Sequence, residues 1–171
     1  MVHDFQLRLG RFMARNTLTI MRIALGIVFL WFGLLKFCPG LCDVELMAQQ
    51  TMTVLTFHLI PPATCIHILA VWECAMGLTL LFAPGRTRIG AVALRVCVLS
   101  LFAHLAGTFL PLVLFPHEVW KHLPYAPTLA GQYILKNMVL LASAVSIGAA
   151  TYPTRSGLRL VPAVVRARRT A

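Results

Sequence analysis

The sequence predicts an all-α fold, an integral membrane four-helix bundle with both termini on the cytoplasmic side. Three observations predict it. Of the 171 residues, 59% are hydrophobic and 12% are charged, whereas soluble domains carry about 45–50% apolar and about 25% charged residues. Four windows, at 17–37, 63–82, 89–110 and 129–150, are apolar over the roughly 20 residues that cross a bilayer as a helix. The arginines gather on alternate sides of those windows, as the positive-inside rule requires.

Arg22 and Lys36 lie near the ends of the first window, where long side chains can reach the headgroups. It lacks a small-residue cleavage pattern, so it is expected to stay as a helix rather than leave as a signal peptide. Before it, residues 4–16 place Phe5, Leu9, Phe12 and Met13 on one helical face and Arg8, Arg11 and Arg15 on the other. That pattern predicts an interfacial amphipathic helix over 1–16, lying on anionic lipid.

The connection at 38–62 is expected to hold a short helix, capped by Asp43 and ended by Pro61-Pro62. Pro84-Gly85 with Arg86 and Arg88 forms a tight basic turn between the second and third windows. The connection at 111–128, rich in proline and aromatic residues, is expected to cover the outer mouth of the bundle. Ala142, Ser146 and Ala149 on the fourth window, with Ala103 and Gly107 on the third, offer small faces for close helix contact. Residues 151–171 read as a basic cytoplasmic tail. The whole chain, 1–171, is expected to form a single domain, with the four spans within 17–150.

Charge and motif exclude several classes. The chain has 15 Lys+Arg against 5 Asp+Glu, yet so apolar a protein is no soluble nucleic-acid binder, and its basic residues fit anionic lipid headgroups better. His117-Glu118-Val119-Trp120-Lys121-His122 misses the H-E-x-x-H pattern because Lys121 holds the second histidine's place, so no metal site is expected. Phosphate-binding glycine loops and nucleophile elbows are absent from the sequence.

Ionisable residues inside hydrocarbon are costly, and mark a structural pair or a function. Glu73 falls near mid-membrane. Arg95, within reach on the neighbouring helix, would make a register-fixing ion pair with it; the other reading makes Glu73 a protonatable carboxylate. Lys36, His67, His104, Lys136 and Asn137 lie at similar depth in the outer half, one or two on each helix. If these faces converge, Lys36, Glu73, His104, Lys136 and Asn137 form a polar pocket that could take a quinone as cofactor. A haem held by His67 and His104 is disfavoured, because intramembrane histidines more often bond to neighbouring helices. Cys38 and Cys42 flank Pro39-Gly40 at the outer mouth and could form a disulfide, alone or with Cys65 as the alternative partner of either.

The run from Arg22 to Phe37, containing Trp31-Phe32-Gly33-Leu34-Leu35-Lys36, resembles the first helix of DoxX-like membrane proteins. Trp72-Glu73-Cys74-Ala75-Met76-Gly77 resembles the acidic-to-glycine signature of their second helix, and the stretch from Ala126 to Asn137 is similar to the opening of their fourth. Where those relatives often carry an acidic residue this chain has Ala130, and they lack cysteines matching Cys38 and Cys42. The resemblance, to the family that includes DoxD and RclC relatives, implies a bacterial inner (cytoplasmic) membrane protein linked to redox physiology or oxidative stress. Three functions stay open: an accessory subunit of a respiratory or redox-related complex that contacts quinone, a quinone-linked thiosulfate or thiol oxidoreductase subunit, and a small-solute transporter component. The first two imply other membrane subunits as partners.

Overall fold

The computed structural model describes residues 2–38, 40–41 and 45–152. Helix α1 spans Val2–Leu35, α2 Glu45–Leu55, α3 Pro62–Phe82 and α4 Arg88–Phe109. Two single turns, α5 (Pro111–Leu114) and α6 (Pro116–Val119), lead into a small antiparallel ribbon of β1 (Trp120–His122) and β2 (Ala126–Pro127), and α7 closes the chain at Leu129–Thr151. Four helices are long and apolar enough to cross a membrane: α1, α3, α4 with its extension to Leu114, and α7. The protein is therefore a multi-pass membrane bundle.

Residues 4–16 are not a separate element. They continue into the first span as one 34-residue helix, about 51 Å long at 1.5 Å per residue. The reason is local. No proline interrupts the run, and the polar side chains that might break it bond back to their own helix, Asn16 Nδ2 to the Phe12 carbonyl at 2.9 Å and Thr17 Oγ1 to that of Met13.

Helices α1 and α3 pack most closely, and glycine permits it. A Cβ on Gly77 would stand 2.6 Å from the Leu30 amide nitrogen, and one on Gly33 would stand 2.8 Å from that of Cys74. Without a hydrophobic driving force between helices in lipid, such approach supplies the dispersion contacts that hold them together. Arg22 adds a polar clamp by donating to the carbonyls of Leu80 and Ala83, orphaned at the C-terminal end of α3. The expected small face on the last helix does not serve this purpose: Ala142 and Ala149 are exposed, and Gly148 instead packs on Val98 of α4.

The core runs through Leu25, Phe29, Leu80, Val98, Leu101, Leu105 and Ala144, one or more from each span. Thr87 and Thr128 cap α4 and α7 by accepting from the amides of Gly90 and Gly131. Helix α2 ends before the Pro61-Pro62 pair, because Phe57 and His58 turn left-handed (φ 51° and 60°). Pro62 opens α3, where its missing N–H costs nothing. The proposed Asp43 cap and the tail beyond Tyr152 lie outside the described residues.

A second cluster seals one end of the bundle. Val119 of α6 is fully buried against Met47 of α2 and Ile134 of α7, with Phe109, Leu112 and Trp120 around them. Its carbonyl accepts from the Thr128 amide at 2.8 Å and lies so near Gly131 that a Cβ there would be 2.3 Å away. The connection between α4 and α7 is thereby fixed onto α7.

Candidate functional site

Under that seal lies a cavity of about 300 Å³. Each span contributes to its wall, and α2 crosses it with Met47, Thr51 and Leu55. Most of the lining is apolar or aromatic, including Phe29, Phe32, Trp72 and Tyr133, and a few polar groups interrupt it. Apolar walls with sparse, placed polar groups are the usual composition of a small-molecule site.

The principal polar group is a buried cluster. Lys36 lies just beyond the last residue of α1, yet its side chain does not snorkel outward. It turns back along the helix, as the tilt of Cα–Cβ bonds towards the N-terminus favours, and its Nζ reaches Glu73 Oε2 at 2.6 Å. The same amine is 3.4 Å from the Phe32 carbonyl. The other carboxylate oxygen, Oε1, is 3.3 Å from His104 Nε2. All three residues are buried, Glu73 at 5% exposure. Rings hold the imidazole from two sides, Phe29 and Trp72 each edge-on at 5.3 Å and 5.8 Å between centroids. With Nε2 donating to the carboxylate, a neutral His104 keeps Nδ1 as an acceptor.

Three expected site residues, Lys36, Glu73 and His104, are thus brought together, and a fourth, Asn137, lines the same cavity and donates to Thr108 Oγ1 at 3.0 Å. Lys136 is not part of the site. One residue along a helix is about 100° of rotation, which turns it outwards, where its amine caps the Tyr133 ring at 3.7 Å from the centroid. The Glu73–Arg95 ion pair does not form, because both carboxylate oxygens are taken by Lys36 and His104. Arg95 faces α7 and donates to the Thr151 carbonyl at 3.5 Å, while Tyr152 donates to the Arg95 carbonyl at 2.9 Å.

His67 is exposed at the start of α3, bonded to the Ala63 carbonyl, and does not line the cavity that His104 lines. Cys38, Cys65, Cys74 and Cys97 are free thiols; the Cys38–Cys42 pairing lies outside the described residues because Cys42 does. Among the described residues, no group of three or more His, Cys, Asp or Glu side chains could hold a metal ion.

Sequence reasoning missed Thr51, Trp72, Thr108 and Tyr133. Trp72 precedes Glu73 and Thr108 follows His104 by one helical turn, so the position of each was tied in the sequence to an ionisable residue. Thr51 carried no signal, since its place depends on how α2 folds over the bundle.

Compared with known protein families, curated proteins and solved structures, the chain matches none.

Proposed function

We propose that this protein is a membrane subunit of a redox-related assembly and that its cavity receives the ring headgroup of a quinone. The observation that carries the reading is the Lys36–Glu73–His104 cluster, buried between membrane spans and bordering an apolar, aromatic-lined cavity. A quinone needs donors to its carbonyl oxygens and a flat apolar slot for its ring. Lys36 and Asn137 carry N–H donors at this wall, Trp72 and Tyr133 offer ring faces, and Glu73 with His104 can take or supply protons on reduction. On this reading a partner subunit delivers the electrons.

Orientation follows the same reading. Arg22 bonds to Ala83, so it lies at the same end as the exposed Arg86 and Arg88, and Arg8, Arg11 and Arg15 precede it on the same helix. By the positive-inside rule that end is cytoplasmic, with both termini, and the cavity belongs to the outer half of the membrane. The likeness to DoxX proteins adds the bacterial inner membrane as the location. In a cysteine-free background, Lys121→Cys should react with an impermeant maleimide on intact cells and Arg86→Cys should not; the reverse pattern would invert the topology.

The decisive experiment is binding. The protein in lipid nanodiscs is titrated with a decyl-tailed benzoquinone while tryptophan fluorescence is followed. Saturable quenching near one quinone per chain is expected, abolished by Lys36→Met, by Glu73→Gln and by Gly107→Leu. The last variant fills the cavity sterically, because a Cβ on Gly107 meets no atom within 4 Å. Absence of saturable binding, or binding indifferent to all three changes, would sink the proposal.

A second reading is an accessory subunit whose cluster only fixes helix register. The observation in its favour is that Lys36 and Glu73 already satisfy each other. Under it, Glu73→Gln would disturb folding or assembly while no quinone bound to the unaltered protein.

A further inference from the structure

The cavity has a specific relation to the outer surface of the bundle. Three of its lining residues are exposed: Phe32 on α1, Leu55 on α2 and Ala103 on α4. At Phe32 and Leu55 a bulky apolar side chain covers the opening. At Ala103 there is only a methyl group. One turn further on, Gly107 also lines the cavity, and the space where its side chain would stand is empty to 4 Å. Residues four apart share one face of a helix, so Ala103 and Gly107 together leave a gap in the side wall.

The depth of that gap decides what can pass. Ala103 is 15 residues beyond Arg88, or about 22 Å along α4, and so within the hydrocarbon of a span. The end of the bundle, in contrast, is shut by α2 and by Val119, Met47 and Ile134 in close contact. The buried cluster borders the gap directly, since His104 adjoins Ala103 in sequence and Trp72 stands edge-on to its ring.

Resting on the reading of the cavity as a headgroup site, we propose that its ligand is a long-tailed amphiphile that enters from the bilayer through the Ala103–Gly107 gap, with its ring at Lys36, Glu73 and His104 and its tail left in the lipid. The cavity holds a ring-sized group and leaves a polyprenyl or long alkyl tail no space inside. A tail emerging past Ala103 stays in hydrocarbon and incurs no desolvation, whereas a route through the sealed end would require the α2 and Val119 contacts to open. A tailless ring is not held to the side route, because no part of it must stay in the lipid when the end contacts open.

The test compares two benzoquinones with one headgroup, one bearing a decyl tail and one bearing none, on protein in nanodiscs. Association is followed by stopped-flow tryptophan quenching for the unaltered chain, for Ala103→Trp and for Val96→Trp. Val96 is exposed on α4 and does not line the cavity, so its variant controls for a bulky residue on the lipid-facing surface. Ala103→Trp is expected to lower the ratio of tailed to tailless association rates about tenfold or more, since a restricted path to the site acts on the on-rate. Val96→Trp should leave the ratio unchanged. An unchanged ratio in Ala103→Trp, with the tailless ring still binding, would overturn the side route and leave the headgroup reading intact. Failure of both ligands to bind the unaltered chain would overturn both. Thermal melting of each variant in the same nanodiscs confirms the fold, which substitution at an exposed position should preserve.

Discussion

The amine of Lys36 and the carboxylate of Glu73 meet at 2.6 Å although the two residues stand 37 positions apart, on different spans. Neither charge could remain alone at that depth. Breaking a buried pair by removing one partner costs about 3–5 kcal/mol, while replacing both by apolar groups is often neutral or stabilising. Lys36→Met or Glu73→Leu alone should therefore lower thermal stability in detergent strongly, and the double variant should recover most of the loss. If quinone binding stays absent in the recovered double variant, the cluster serves the ligand as well as the fold.

At Gly77 the α1–α3 contact has no slack, with 2.6 Å available to a Cβ beside a backbone nitrogen that cannot move independently. Gly77→Ala should cost about 1–3 kcal/mol, the usual effect of overpacking. Gly107→Ala, where nothing lies within 4 Å, should leave the melting temperature nearly unchanged. Differential melting of the two variants checks this, and equal effects would count against the packing described for α1 and α3.

Gly131→Ala should act on the seal rather than on the spans. Its Cβ would fall 2.3 Å from the Val119 carbonyl, the acceptor of the Thr128 amide. The connection must lift, so exchange of the Thr128 amide proton should speed up and proteolysis within 120–126 should become faster. Unchanged exchange at Thr128 would refute the docking.

Arg22→Ala removes the donor to two carbonyls at the end of α3. Hydrogen bonds from charged donors are worth about 1.5–3 kcal/mol net, and Arg22→Lys cannot reproduce the two-pronged geometry of the guanidinium. Both variants should fray the C-terminal turn of α3, seen as faster exchange of the Ala83 amide, with a larger effect for alanine.

The spans were legible in the sequence because twenty apolar residues in a row have few alternatives. The depths of Lys36, Glu73 and His104 were legible too, since depth along a helix follows from counting residues. Rotation about the helix axis was not. Counting places Arg95 and Lys136 at useful depths, but Arg95 turns to α7 and Lys136 turns out of the bundle, and only the packing of α4 and α7 decides those angles. The continuity of α1 through residue 16 was hidden for a similar reason, because an amphipathic segment and an apolar one can share a single helix when nothing breaks the backbone between them.

The pairing of Lys36 with Glu73 also bears on how the protein meets the membrane voltage. One elementary charge moved across a bilayer is worth about 2.3 kcal/mol per 100 mV. With His104 neutral, the cluster carries one positive and one negative charge at nearly one depth, so the field does almost no work on it as a unit. Removal of either partner would leave a single charge on which the field acts in full, so the pair also keeps this part of the bundle indifferent to voltage.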